Sequence, residues 1–170
     1  KKFGFELREI PEHVLNNAAV SSTRTREALL GGNLADANKY LGYAYFFEGI
    51  VTEGNKLGRT IGYPTANIHI NDNEKLVPAN GVYAVLVTLV STAENFGGMM
   101  NIGVRPTLNG TKRTIEVNIF NFDRDIYGDT IKIFVEQYLR AEIKFSGLEA
   151  LKEQLAKDKE AALATLQGFT

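Results

Sequence analysis

Cysteine and tryptophan are absent from the 170 residues, and only 4 prolines and 2 methionines occur. Without cysteine there is no disulfide framework and no thiolate chemistry. Charge of one sign is also lacking: 19 Lys and Arg stand against 20 Asp and Glu, a formal net charge of -1. That balance argues against a broad nucleic-acid or membrane surface while leaving room for a local basic site. No apolar run approaches the roughly 20 residues needed to span a bilayer, and the start, Lys1-Lys2-Phe3-Gly4, has no signal-peptide apolar core. A cytoplasmic protein with no membrane and no nucleic-acid partner is the expectation. The missing initiator methionine points to a processed or truncated product. Two familiar phosphate loops are missing as well, since neither GxxxxGK followed by Ser or Thr nor GxGxxG occurs.

What is there has the composition of an ordinary soluble globular protein, 44% hydrophobic and 23% charged, in a length that suits one domain plus an appendage. Residues 3–10 alternate apolar and polar side chains, which predicts a short strand ended by Pro11. Ser22 reads as the cap of a short helix stopped by Gly31-Gly32. Asn33 reads as the cap of a second helix over 34–41, with Asp36 in its first turn and Gly42 after its end.

Six strand-like runs follow, at 45–52, 65–70, 82–90, 99–104, 114–120 and 130–139, with 105–112 read as a loop around Pro106, Asn109 and Gly110. In the fifth run Ile115, Val117 and Ile119 face one way and Thr114, Glu116 and Asn118 the other. Strands separated by glycine-containing turns, with no helices between them, predict a mainly β fold: a six-stranded antiparallel Greek-key-like barrel. Ser146-Gly147-Leu148-Glu149 reads as a capping box that opens a long C-terminal helix. Its Leu148, Leu151, Leu155, Leu163 and Leu166 would lie on the barrel wall, with Lys152, Glu153, Lys157 and Lys159 solvated.

The chain is organised around Gly54 to Asn67, GNKLGRTIGYPTAN. Gly54, Gly58 and Gly62 recur every fourth residue with Lys56 and Arg59 between them, a backbone able to approach an anion closely and two cations to meet it. Pro64 biases Tyr63 away from the helical region, and Thr65 and Ile68 favour β structure, so the loop leads into a strand. On that strand Thr65 and Asn67 share a face, placing a hydroxyl and an amide oxygen side by side. Taken alone, these residues read better as a Pro-Thr turn with solvated loop charges, and Glu116 as a solvated carboxylate.

The run Gly-x-x-x-Gly-Arg-x-x-Gly-Tyr-Pro-Thr-Ala-Asn is followed by Gly81-Val82-Tyr83, Asn101-Ile102-Gly103-Val104-Arg105-Pro106-Thr107 and Glu116-Val117. Together they closely resemble the riboflavin kinase family, and more specifically the C-terminal module of the bifunctional bacterial riboflavin kinase/FMN adenylyltransferase (FAD synthetase). The resemblance covers nearly the whole chain. It implies an ATP- and Mg²⁺-dependent kinase that turns riboflavin into FMN. Glu116 would be the catalytic base and Thr65 and Asn67 the metal and phosphate ligands. Gly54, Lys56, Gly58, Arg59 and Gly62 would form the nucleotide loop, and Ile119, Asn121 and Tyr127 the adenine pocket. Arg140 and Phe145 would meet the isoalloxazine.

Departures from the family pattern are Ala141 in place of a proline, Leu108 in place of a common phenylalanine and Asn118 in place of a common histidine. Ser21-Ser22-Thr23-x-x-Arg26 is similar to a phosphate-contacting motif near the end of the adenylyltransferase module. Residues 1–42 are therefore expected to be the remnant of that module and 43–170 the kinase domain, with the rest of the module supplied in the full-length protein. His13 and His69 stand in contexts unlike the two-histidine adenylyltransferase motif, so this chain is not expected to convert FMN to FAD. The competing readings are a non-catalytic flavin- or nucleotide-binding barrel and an oligonucleotide-binding barrel. The second is disfavoured by the weak charge and the lack of a basic, aromatic platform.

Overall fold

The computed structural model describes residues 14–15, 18–19, 21–54, 57–107 and 110–167. The expected strand at 3–10, Lys56 and Leu108 lie outside the described residues. Two short paired strands, β1 (Val14–Leu15) and β2 (Ala18–Ala19), precede a helical hairpin of α1 (Ser22–Leu30) and α2 (Leu34–Leu41). Ser21, not Ser22, caps α1: its Oγ accepts from the Arg24 amide at 3.3 Å, because Ser22 is already helical. Asn33 caps α2 through the Asp36 amide, and Gly42 ends it at a φ of 77°.

Six strands then close an antiparallel barrel in the order β3-β4-β7-β6-β5-β8. They are β3 (Tyr45–Thr52), β4 (Ala66–His69), β5 (Gly81–Leu89), β6 (Asn95–Thr107), β7 (Gly110–Ile119) and β8 (Thr130–Arg140). The chain leaves β4, crosses to β5, and returns through the β5-β6-β7 meander so that β7 lies beside β4; β8 then pairs with both β5 and β3. Phe47, Val51, Ile68, Met100, Val117 and Ile133 are among the inward residues that fill the barrel. β5 is nearly continuous in apolar residues because both its faces are covered: Tyr83, Val85 and Val87 point inward, while Ala84 lies under the C-terminal helix.

Three expectations need correction. Residues 105–112 are not a loop: Arg105 pairs with Lys112 and Thr107 with Gly110, so the β6-β7 ladder extends into this stretch. β5 pairs with β6 no further than Ile102, so Pro106 stands where β6 has a partner on one side, and a missing N–H is tolerated there. The C-terminal helix α4 (Leu148–Leu166) has Gly147 at its N-cap position with no side-chain cap bond, so Ser146 and Glu149 form no capping box. Ser146 sits one residue too early, and Glu149 meets Lys152 at 3.4 Å instead. Finally, Leu148 and Leu163 are exposed; the face turned to the barrel carries Leu155, Asp158, Ala162 and Leu166.

The helical hairpin is not a separate appendage in packing terms. Leu29, Leu34 and Ala37 are buried in the same cluster as the barrel interior. Asn38 adds polar ties, its Oδ1 accepting from the Tyr45 amide at 2.7 Å and its Nδ2 donating to the Val135 carbonyl at 3.1 Å. The mainly β fold is thus a closed barrel with one long helix on its outer wall and two short helices against one end.

Candidate active site

The outward faces of the strands carry the polar residues that the alternation had set apart. Register aligns Thr52, Asn67, Glu116, Asn101, Val82 and Arg140 in one cross-strand row around the barrel. Paired residues share a face, so groups far apart in sequence become neighbours on the wall. Glu116, whose side chain is 14% exposed, is the row's carboxylate. Its Oε2 lies 3.5 Å from the Thr65 hydroxyl, and its Oε1 is ion-paired with Arg105. Asn118, one pair along β7, is buried and donates to the Pro64 carbonyl at 2.6 Å, pinning the start of the Pro-Thr-Ala-Asn segment to the wall.

The glycine run folds back over this row. It contains one helical turn, α3 (Leu57–Thr60), inside the run rather than after it, before the strand expected at 65–70 begins at Ala66. The Tyr63 amide donates to the Gly58 carbonyl at 2.8 Å, and a Cβ at Gly58 would run into the Tyr63 carbonyl. A Cβ at Gly54 would strike the Asn67 side-chain amide. Only glycine allows these two approaches, which bring the loop against Thr65 and Asn67. Gly62 has a φ of 84° in the turn that follows.

Two clefts meet at Thr65, which lines both. One, of about 230 Å³, runs between the barrel wall and α4; Asn67, Glu116, Arg140 and Phe145 line it, with Met99 and Leu155 among its apolar walls. The other, of about 380 Å³, lies on the far side of the Pro64-Thr65 segment, and Arg59, Ile119 and Tyr127 line it. Of the residues that resemblance assigned, the flavin pair Arg140 and Phe145 lines the first cleft and Arg59, Ile119 and Tyr127 line the second, while Asn67 of the nucleotide set stands on the flavin side. Gly58 faces the α4 cleft. Asn121 is exposed at a φ of 53° in the turn after β7 and lines neither cleft; Gly54 and Gly62 also shape the loop rather than a cleft wall.

Several site residues were not singled out from sequence. Arg105 and Asn101 belong to a quoted motif but received no role. Arg124 on the second cleft stacks against the Phe122 ring at 4.9 Å and pairs with Glu94 at 2.9 Å. Asp158 is 3% exposed beside Arg140. Its signal was present, as an acid in the 151, 155, 158, 162, 166 helical stripe. Phe145 does stand near Arg140, whose guanidinium carbon is 6.0 Å from the ring centroid.

For a metal, the described residues hold no cluster of three or more His, Asp or Glu. The available donors are the Thr65 hydroxyl and the Asn67 amide beside the Glu116 carboxylate. Mg²⁺ is held by one or two protein oxygens together with substrate phosphates and water, so this hard oxygen set fits it.

Fold and site define a small β-barrel protein with two clefts that share Thr65. The flavokinase family, described as riboflavin kinase, matches residues 41–166, and the chain belongs to it. The bifunctional riboflavin kinase/FMN adenylyltransferase of Haemophilus influenzae is 44% identical over 164 residues, 96% of this chain and 52% of the relative. That of Bacillus subtilis is 44% identical over 147 residues, 85% of this chain and 46% of the relative. The chain spans about half the length of the curated relatives it matches.

Among solved structures, a Streptococcus pneumoniae protein described as a macrolide-efflux protein superposes with a TM-score of 0.83 at 38% identity, over 90% of this chain and 49% of that one. Riboflavin kinase from Trypanosoma brucei superposes with a TM-score of 0.50 at 25% identity, over 72% of this chain and 79% of that one. No helix among the described residues is long and apolar enough to cross a membrane.

Proposed function

We propose that this chain transfers the γ-phosphoryl group of ATP to the ribityl 5′-hydroxyl of riboflavin, giving FMN and ADP. The observation that carries the reading is the position of Thr65, shared by both clefts with the Glu116 carboxylate 3.5 Å from its hydroxyl. Two ligands entering from opposite sides have their reacting ends at that residue. Glu116 and Arg140 are separated by three strand steps, roughly 14 Å along the wall. A flat tricyclic ring with a five-carbon chain spans a distance of that order, so a ring held by Arg140 and Phe145 delivers its terminal hydroxyl to Glu116.

Phosphoryl transfer passes through a loose transition state, and positioning with charge neutralisation contributes most of the catalysis. Thr65 and Asn67 would hold Mg²⁺, which when bound neutralises phosphate oxygens. Arg59 would meet phosphate oxygens from the loop shaped by Gly54, Gly58 and Gly62, and the resemblance gives Lys56 the same role. Ile119 and Tyr127 wall the adenine, with Asn121 at the rim. The ribityl oxygen forms a bond to the γ-phosphorus as the bond from phosphorus to the β,γ-bridging oxygen breaks, and the hydroxyl proton passes to the Glu116 carboxylate. Arg105 holds the other carboxylate oxygen, which leaves Oε2 directed at the site.

Residues 1–42 are read as the end of an adenylyltransferase module and 43–170 as the kinase domain, the missing half of the relatives' length being that module. The purified chain is expected to form FMN and ADP from riboflavin and ATP only with a divalent metal, and to form no FAD from FMN and ATP. Chromatography of the flavins with a coupled ADP assay checks both. Riboflavin binding without ADP release would instead indicate a flavin-binding barrel that is not a catalyst.

A further inference from the structure

The stripe of α4 that faces the barrel runs Leu151, Leu155, Asp158, Ala162, Leu166, and its middle member is a carboxylate. A charge withdrawn from water into such a contact is costly unless it is paired and hydrogen-bonded. Here the pairing is two-pronged: Arg140 donates from Nε to Asp158 Oδ1 at 2.8 Å and from Nη2 to Oδ2 at 2.6 Å. Gln154, one turn earlier, donates to Oδ1 at 2.9 Å. The Arg140 Nη1 donates to the Ala141 carbonyl at 2.9 Å. These bonds use three of the five N–H groups of a guanidinium, and Arg140 still lines the α4 cleft.

Arg140 ends β8 and leads into residues 141–147, which contribute Glu142, Ile143 and Phe145 to the same cleft before α4 begins. Its strong fork is turned to Asp158, so its orientation toward the cleft is set from the helix. We infer that Asp158 is a positioning residue for riboflavin: by clamping Arg140 it fixes the guanidinium edge and the 141–147 wall that the ring meets. This rests on the proposed assignment of the α4 cleft to riboflavin. Stability alone is a poor account of the pair, since replacing a buried ion pair with apolar groups is often neutral or stabilising. Asp158 lines the α4 cleft and is absent from the walls of the other, so its influence is confined to one substrate.

The test compares the chain with its D158N, R140Q, Q154A and D158N/R140Q variants, by steady-state kinetics and by quenching of riboflavin fluorescence without ATP. Loss of a bidentate charge-assisted pair should raise the riboflavin KM and Kd of D158N about tenfold, with the ATP KM changed by less than about twofold. Q154A, which removes a single hydrogen bond from a partly exposed residue, should shift the riboflavin constants in the same direction by about threefold. The double variant should bind riboflavin no worse than the weaker single variant, because both changes break one contact.

Unchanged riboflavin constants in D158N, or equal increases for both substrates, overturn the inference. Should D158N fail to fold, an unaltered riboflavin Kd in Q154A does the same. A parent chain that neither binds nor phosphorylates riboflavin removes the proposed function as well. A parent chain that does both, beside an indistinguishable D158N, removes only the role of Asp158.

Discussion

Glu116 has one carboxylate oxygen engaged by Arg105 and the other turned to Thr65, so a substitution that keeps its shape isolates its charge. E116Q is expected to lower turnover about a thousandfold, the range for a lost general base, while Mg²⁺-ATP binding measured by calorimetry stays nearly unchanged. Turnover equal to that of the parent would remove Glu116 from the mechanism. Thr65 and Asn67, expected on one strand face, do line one cleft together, although β4 begins only at Ala66 and Thr65 stands just before it. Partners of Glu116 were hidden by the reading of 105–112 as a loop. The pairing of Arg105 with Lys112 and Thr107 with Gly110 sets a register that puts Asn101 opposite Glu116 and Arg105 on the same face, and a stretch read as a loop offers no register from which to see it. Asp158 was hidden for a different reason: a stripe chosen by its leucines skips the acid that shares the face.

At the scale of elements, the six strands were legible because their alternation survives in a barrel with a packed interior. Their ends were not, because strand pairing continues through polar residues such as Arg105 and Lys112. The short helix α3 was missed since a single turn has no periodicity to read. The helical hairpin's attachment was also invisible, for its few apolar residues say nothing about what they meet. Leu29 meets the barrel core and is 1% exposed. L29A should therefore destabilise the barrel itself by about 3 kcal/mol, the usual cost of a buried leucine cavity. Urea unfolding followed by far-UV circular dichroism and by tyrosine fluorescence should show one coincident transition at lower denaturant. A separate early transition for the helices, with the barrel midpoint unmoved, would contradict the shared core.

For the molecule as a whole, two buried tyrosines set the response to alkaline pH. Burial pushes the Tyr45 hydroxyl from 10.0 to about 12, with Tyr43 and Asp72 adding to the rise, and burial also raises Tyr83. A phenol whose folded pKa is raised contributes its full stability below the unfolded value and loses it as pH climbs through the folded one. Stability is thus expected to hold to about pH 10 and to fall between there and about pH 12. Tyr45 donates to the Leu76 carbonyl at 2.7 Å. Y45F should lose about 1 kcal/mol near neutral pH for that bond and show a shallower alkaline fall. Thermal melts across the pH range check both, and an equally steep fall in Y45F would assign the effect elsewhere.

The family match opens at residue 41, yet hydrocarbon from positions 29, 34 and 37 stoppers the barrel's end. Anyone excising the kinase at its family border would uncork that end, leaving greasy barrel lining facing water and an expression product prone to clump. The smallest self-sufficient piece should begin ahead of Ser21, well before the family border.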